Sequence, residues 1–264
     1  VKATRRKFEE FAWICGLHPL AVRLHRALNE RRSEGRAKLL SFYSSFVRPG
    51  FLVFDIGANT GAYADVLESL GARVIAVEPN ADCIRHIEIT YGGRRIEPIL
   101  AAVGPKNGLL QINMSDKFDD MSTVSSEWVA NDLARRGPEA EKIWNRRVTV
   151  LCITLDSMIE TFGAPDYIKI DIEGYEASVL DGLSTQPEYL SFEYHSFDPN
   201  NALRCLGKPV FELQKSAFNI TDETGSRFEF AEWTDCEVVK RRLAELTDTY
   251  RDIVVRRNGE MPSP

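Results

Sequence analysis

Residues 51–61, FLVFDIGANTG, run apolar from Phe51 to Phe54, meet an acid at Asp55 and break into a turn bounded by Gly57 and Gly61. An apolar run without alternation suits a strand covered on both faces by helices, as in a parallel sheet. The residues that follow place Tyr63, Val66, Leu67 and Leu70 at helical spacing, and Gly71 supplies a stop. Strand, glycine turn and helix make one βα unit, and the unit repeats. RVIAVEPN (73–80) and ADCIRHIEITYG (81–92) read as the second strand and helix, and RIEPILAAVG (95–104) as the third strand. GLLQINMS (108–115) alternates like an added strand, and VTVLCITLDSMIETFG (148–163) reads as a strand leading into a helix. PDYIKIDIEG (165–174) is a buried strand, YEASVLDGL (175–183) a short helix and YLSFEYH (189–195) the next strand. Beyond residue 200 the pattern predicts a helix into a strand over 208–220, a strand over 226–233, a helix over 235–246 and a strand over 252–257. Recurrent β, α, β predicts a doubly wound α/β sheet with right-handed crossovers.

The chain has 264 residues, 44% of them hydrophobic, enough for one large core with appendages. Fourteen Phe, eight Tyr and four Trp argue against disorder, and no stretch reaches the roughly 18 consecutive apolar residues of a membrane span. The first twenty residues are broken by Glu9, Glu10, Gly16 and Pro19 and make a poor secretory signal. Five scattered cysteines give no C-x-x-C pair, so reduced structural thiols and a cytoplasmic setting are expected. Residues 1–50 carry eleven Lys and Arg against four Asp and Glu, and the remainder 22 against 35. So acidic a body is a poor partner for nucleic acid. Short helices over 3–47 look like an appendage (1–48) to a main domain over 49–257, with residues 258–264 as a tail.

In a doubly wound sheet ligands bind beyond the carboxyl ends of the strands. Gly57 and Gly61 stand there, where glycine permits close approach and the following helix offers unpaired N–H groups to an anion. A pyrophosphate or an amino-acid carboxylate would suit. The turn reads Gly57-Ala58-Asn59-Thr60-Gly61, without the third glycine of the dinucleotide fingerprint. Asp55 is badly placed for a pyrophosphate and well placed for an ammonium group. Glu78 closes the second strand, where a carboxylate can accept both hydroxyls of a ribose. Ribose, ammonium and carboxylate together describe S-adenosyl-L-methionine.

FDIGANTG, VEPN, AAVG, TLD, IKIDIEGYEASVLDG and LSFEYH occur in the order found in FkbM-type methyltransferases. The resemblance covers about residues 50–198. It implies a Rossmann-like class I fold with seven strands, one of them antiparallel near the C-terminus, and methyl transfer from S-adenosyl-L-methionine, usually to oxygen on sugars or secondary metabolites. By position it makes Asp55, Gly57, Ala58, Asn59, Gly61 and Glu78 cofactor ligands, with Ala101 and Ala102 facing the adenine. Asp171 is added to this set because it ends its strand beside the methyl group. The expected partner is a small-molecule or glycan acceptor, and a homo-oligomer is left open. Residues 118–147 are an insertion that the family pattern does not fix.

An alcohol acceptor must lose its proton, and a base within hydrogen-bond reach assists. Lys169, Asp171 and Glu173 alternate along one strand, and charges on a strand buried on both sides call for a use. Lys169 has the alternative of pairing with a carboxylate, and Glu173 of capping the next helix. Glu193 and His195 share a face of the strand at 189–195, and imidazole suits a general base at neutral pH. His195 or Asp171 is therefore expected as the base, with Glu193 orienting His195. No metal is expected, although Asp171, Glu193 and His195 could hold a divalent ion. Ser122 and Thr123 could touch a ligand or form exposed turn chemistry, and Trp128 and Trp144 could stack on a sugar or pack as core. His18, His25 and His86 read as structural. Two other readings remain: an NAD-dependent oxidoreductase on a Rossmann scaffold, and a binding module without transfer activity.

Overall fold

The computed structural model of the chain describes residues 34–114, 122–136, 146–213 and 215–258. The expected helices over residues 3–33, and Trp144, His18, His25 and Cys15, lie outside them. Helix α1 (Glu34–Tyr43) leads to β1 (Leu52–Ile56), α2 (Ala62–Ser69), β2 (Arg73–Glu78), α3 (Ala81–Tyr91) and β3 (Ile96–Leu100). Then come β4 (Ala102–Val103), β5 (Gly108–Met114), β6 (Ser122–Thr123), α4 (Ser126–Arg136), β7 (Arg146–Ile153) and α5 (Leu155–Phe162). The chain continues through β8 (Tyr167–Ile170), α6 (Glu176–Leu180), β9 (Tyr189–His195), α7 (Pro199–Leu206), α8 (Pro209–Leu213), β10 (Ala217–Ile220), α9 (Cys236–Glu245) and β11 (Tyr250–Arg256).

The main sheet has seven strands in the order β10-β11-β9-β8-β1-β2-β3. β11 runs antiparallel to both neighbours, and the pairs β9-β8, β8-β1, β1-β2 and β2-β3 are parallel. This is the expected fold class. Strand order reverses at β1, which lies between β2 and β8, so the crevice for a ligand opens beyond Ile56 and Ile170.

Alternation along the strands builds two cores. Phe54, Ile56, Ile168, Ile170, Leu190 and Phe192 point to one face and are covered by residues of α5, α6, α7 and α9. Val53, Val74, Ala76, Tyr167, Tyr189 and Val254 point to the other, under α1, α2 and α3. On that second face Phe46 of the α1 end meets Tyr167 edge-on at 5.5 Å, and the Tyr167 hydroxyl lies 2.7 Å from Ser191 Oγ. Side-chain caps fix the helix starts: Asn80 accepts from Asp82 N–H, Thr154 from Ser157 N–H and Asp235 from Val238 N–H.

The structure redistributes two expected strands. Residues 148–153 belong to β7, which joins a second sheet of order β4-β7-β5-β6 and pairs antiparallel with β5. Its apolar content misleads because this small sheet has an open face: Leu109 and Leu151 are cross-strand partners and both are exposed. Residues 226–233 form no strand, only an isolated bridge from Phe228 to Thr221. The Asn219 side chain takes the ladder's place there, donating to Phe230 C=O and accepting from Phe230 N–H.

Candidate functional site

Beyond the carboxyl ends of β1, β2, β8 and β9 lies a cavity of about 340 Å³. Its wall includes Gly57, Ala58, Asn59, Glu78, Ala101, Ala102, Asp171 and Glu193. Glu78 and Glu193 sit three strand steps apart, roughly 14 Å at the usual inter-strand spacing. One elongated ligand can span that distance.

The turn after β1 is held by its own chain. Gly57 has φ +82°, and a Cβ there would stand 1.8 Å from the Asp171 carbonyl oxygen. Glycine is thus required by the close passage of β8 as well as by the backbone angle. Gly57 and Ala58 N–H both donate to Val77 C=O, at 2.9 and 3.1 Å. Gly61 (φ +80°) packs against the Tyr91 ring of α3 and does not line the cavity. Its conformation starts α2.

Glu78 binds the turn to β2. Its Oε1 accepts from Asn80 N–H at 2.9 Å and its Oε2 from Asn59 N–H at 3.0 Å. Burial raises its pKa to about 7, against the pull of those two N–H groups. Each carboxylate oxygen keeps a second lone pair, so acceptance of ribose hydroxyls remains open to it. Ala101, Ala102, Val103 and Ile112 supply an apolar wall beside it.

Asp55 sits behind the turn and not on the cavity wall. It is 1% exposed, burial raises its pKa to about 6, and its Oδ2 meets no hydrogen-bond donor. In register beside it stands Lys169, which shares its face of the sheet. Lys169 is fully buried, donates to Asp171 Oδ2 at 2.6 Å and lies 4.1 Å from the centre of the Tyr63 ring. The expected pairing of Lys169 with a carboxylate is therefore present. Burial works against the Asp171 charge, but Lys169 outweighs it and holds the carboxyl below its usual range.

Glu193 reaches the cavity, whereas His195 stands behind it with Nε2 2.8 Å from Glu193 Oε2. Of this pair, expected as orienting acid and base, Glu193 alone lines the cavity. The cause is Trp128 of α4, which meets the His195 ring edge-on at 4.7 Å and packs on Phe197 at 4.7 Å. Trp128 is 4% exposed, so it packs and offers no stacking surface.

Glu173, for which the sequence offers a capping role, stands on the cavity wall. It follows β8 with φ +55°, next to Gly174 at φ +89°. Thr123 Oγ1 donates to its carbonyl at 2.6 Å, so Thr123 is a buried brace and not exposed turn chemistry. Burial, then Glu193 and Asp171, push the Glu173 carboxyl well above the usual range. Glu176 of α6 holds the loop instead, its Oε1 accepting from Ile172 and Gly174 N–H. An acid before a glycine directly after a buried strand was the available signal.

The chain matches the FkbM methyltransferase domain over residues 55–236. The hexuronic acid methyltransferase AglP of Haloferax volcanii is 26% identical over 174 residues, covering 64% of this chain and 66%, just under two thirds, of that protein. Precorrin-6y C5,15-methyltransferase from Geobacter metallireducens GS-15 superposes with a TM-score of 0.43 at 13% identity, over 84% of this chain and 87% of that one. The plantazolicin methyltransferase BpumL in complex with SAH gives a TM-score of 0.41 at 10% identity, over 87% of each chain. Likenesses as loose as these two carry nothing about the site.

Proposed function

The chain belongs to the FkbM-domain methyltransferase family, and from that premise we propose that it transfers a methyl group from S-adenosyl-L-methionine to a hydroxyl of a glycan or a related small molecule. The observation that carries this reading is the single cavity that joins Glu78 and the apolar Ala101–Val103 wall to Asp171 and Glu193. Glu78 suits the ribose, Ala101 and Ala102 the adenine, and the turn over Gly57–Asn59 the amino-acid part. Asp55 adds negative charge behind that turn, with an oxygen still lacking a donor. When bound, S-adenosyl-L-methionine supplies an electrophilic methyl group.

The chain's own residues have to hold the acceptor in line, take its proton and keep water out. Asp171, on the wall and fixed by Lys169, takes the proton. Glu193 orients the acceptor, and His195 supports Glu193 from behind. The named activity of the Haloferax volcanii relative, on hexuronic acid, supports a sugar acceptor. A dinucleotide reading is weakened by the turn Gly57-Ala58-Asn59-Thr60-Gly61, which lacks the third glycine of that fingerprint. Buried or half-buried thiols at Cys83, Cys152, Cys205 and Cys236 support a reducing compartment. No described helix is long and apolar enough to cross a membrane.

The test is calorimetric titration with S-adenosylhomocysteine, followed by a mass-shift assay over a panel of hydroxylated sugars. Asp171→Ala should abolish transfer and leave nucleoside affinity within a few fold. Tight binding of NAD with no binding of the adenosyl compound would overturn the proposal.

A further inference from the structure

The sheet face behind the cavity is overloaded with acid. Asp55, Asp171, Glu193 and Asp252 share it, Asp252 directly across from Glu193 in register. The ammonium of Lys169 is engaged by Asp171. At the cavity end of this face three side chains converge from two elements: Glu173 from the loop after β8, and Glu193 and His195 from the end of β9. One donor atom from each lies within 4.8 Å of the others. Glu193 Oε2 is closed to solvent, with His195 Nε2 2.8 Å away and no other polar neighbour in hydrogen-bond geometry. A carboxylate oxygen buried in that state beside a second carboxylate is relieved by a cation.

The three donors are set in place by packing that needs no ligand. The Thr123 hydroxyl fixes the Glu173 backbone, and Gly174 lies so close to Trp128 that a Cβ would come within 2.7 Å of its ring. Trp128 and Phe197 hold the His195 ring at 4.7 and 5.0 Å. Two carboxylates and one imidazole leave coordination positions open, and oxygen-rich sets of this kind suit Mn²⁺ or Mg²⁺.

We propose that Glu173, Glu193 and His195 bind one divalent cation of the Mn²⁺ and Mg²⁺ class, whose open positions take oxygens of the acceptor. This rests on the methyl-transfer reading and adds to it a reason for so acidic an acceptor site. Asp171, held by Lys169, stays outside the ligand set and keeps its role as proton acceptor. The residues differ from the set read from sequence by the exchange of Asp171 for Glu173.

The experiment titrates Mn²⁺ into the chelator-treated full chain, by calorimetry and by electron paramagnetic resonance of unbound Mn²⁺, with and without S-adenosylhomocysteine. One Mn²⁺ per chain is expected. Glu173→Gln and His195→Gln should each weaken it at least tenfold, with circular dichroism and S-adenosylhomocysteine affinity retained. In the unsubstituted chain, Mn²⁺ should broaden the ring resonances of His195 before those of the other histidines, which covers the case of a variant that does not fold. No stoichiometric Mn²⁺, equal binding by both variants or uniform broadening overturns the site. Binding of S-adenosylhomocysteine without Mn²⁺ sinks the cation and leaves methyl transfer standing, whereas Mn²⁺ binding without the nucleoside does the reverse.

Discussion

Glu78 Oε2 accepts the Asn59 N–H at 3.0 Å, so the acid that ends β2 and the turn that follows β1 form one hydrogen-bonded unit. The same carboxylate faces the cavity. Glu78→Ala should therefore weaken S-adenosylhomocysteine binding by about tenfold to a hundredfold, the scale of a hydrogen bond to a charged group. Calorimetry on the folded variant checks this, and unchanged affinity would remove Glu78 from the ribose site.

The buried acids give stability a pH dependence of known sign. Glu78 titrates near 7 in the folded chain against an ordinary 4.5, so between those values the folded state binds more protons than the unfolded. Stability must fall as pH rises through that window. Asp55, raised to about 6, acts in the same direction. Thermal unfolding should occur several degrees higher at pH 5 than at pH 7.5, with Glu78→Gln flattening the slope. Ligand affinity should run the opposite way, improving as Glu78 ionises. A melting temperature that rises from pH 5 to 7.5 and is unaffected by Glu78→Gln would contradict the burial argument.

Gly57→Ala places a methyl group against the Asp171 carbonyl in a positive-φ conformation. Nothing nearby can give way cheaply, because the obstacle is backbone of the adjacent strand. A loss of about 2–4 kcal/mol is expected by chemical denaturation. Gly93→Ala, at φ +85° with open space around it, serves as the control and should cost less.

Lys169→Met leaves Asp171 and Asp252, which both act on its charge, without an ammonium group between them and the Asp55 side. The expected cost is about 3 kcal/mol, toward the low end for a broken buried pair because 27% of the Asp171 side chain remains exposed. The double variant Lys169→Met, Asp171→Asn should recover part of it. A single variant as stable as the parent would show the pair to be dispensable.

Much of this was readable before the structure. The apolar run at 51–54 announced a buried parallel strand because nothing but helices can cover both faces of such a run. The places of Asp171 and Glu193 on the cavity wall follow from spacing, because charges at every second position share a face. What failed depended on neighbours distant in sequence. The packing of His195 is not legible because its neighbour Trp128 lies 67 residues earlier. Glu173 was undervalued because its place is set by a turn angle and by Thr123, neither visible in the local pattern. The strand expected at 226–233 failed because one asparagine side chain took over the bonds of a ladder.

Along β8, Ile168 and Ile170 face one core while Tyr167 and Lys169 face the other. A slip of one residue during assembly would thrust an ammonium into hydrocarbon and strand isoleucines among carboxylates. The buried ions beside the cavity thereby proofread the pairing of the central strands, and softening them to gain stability would loosen the fidelity with which this sheet finds its order.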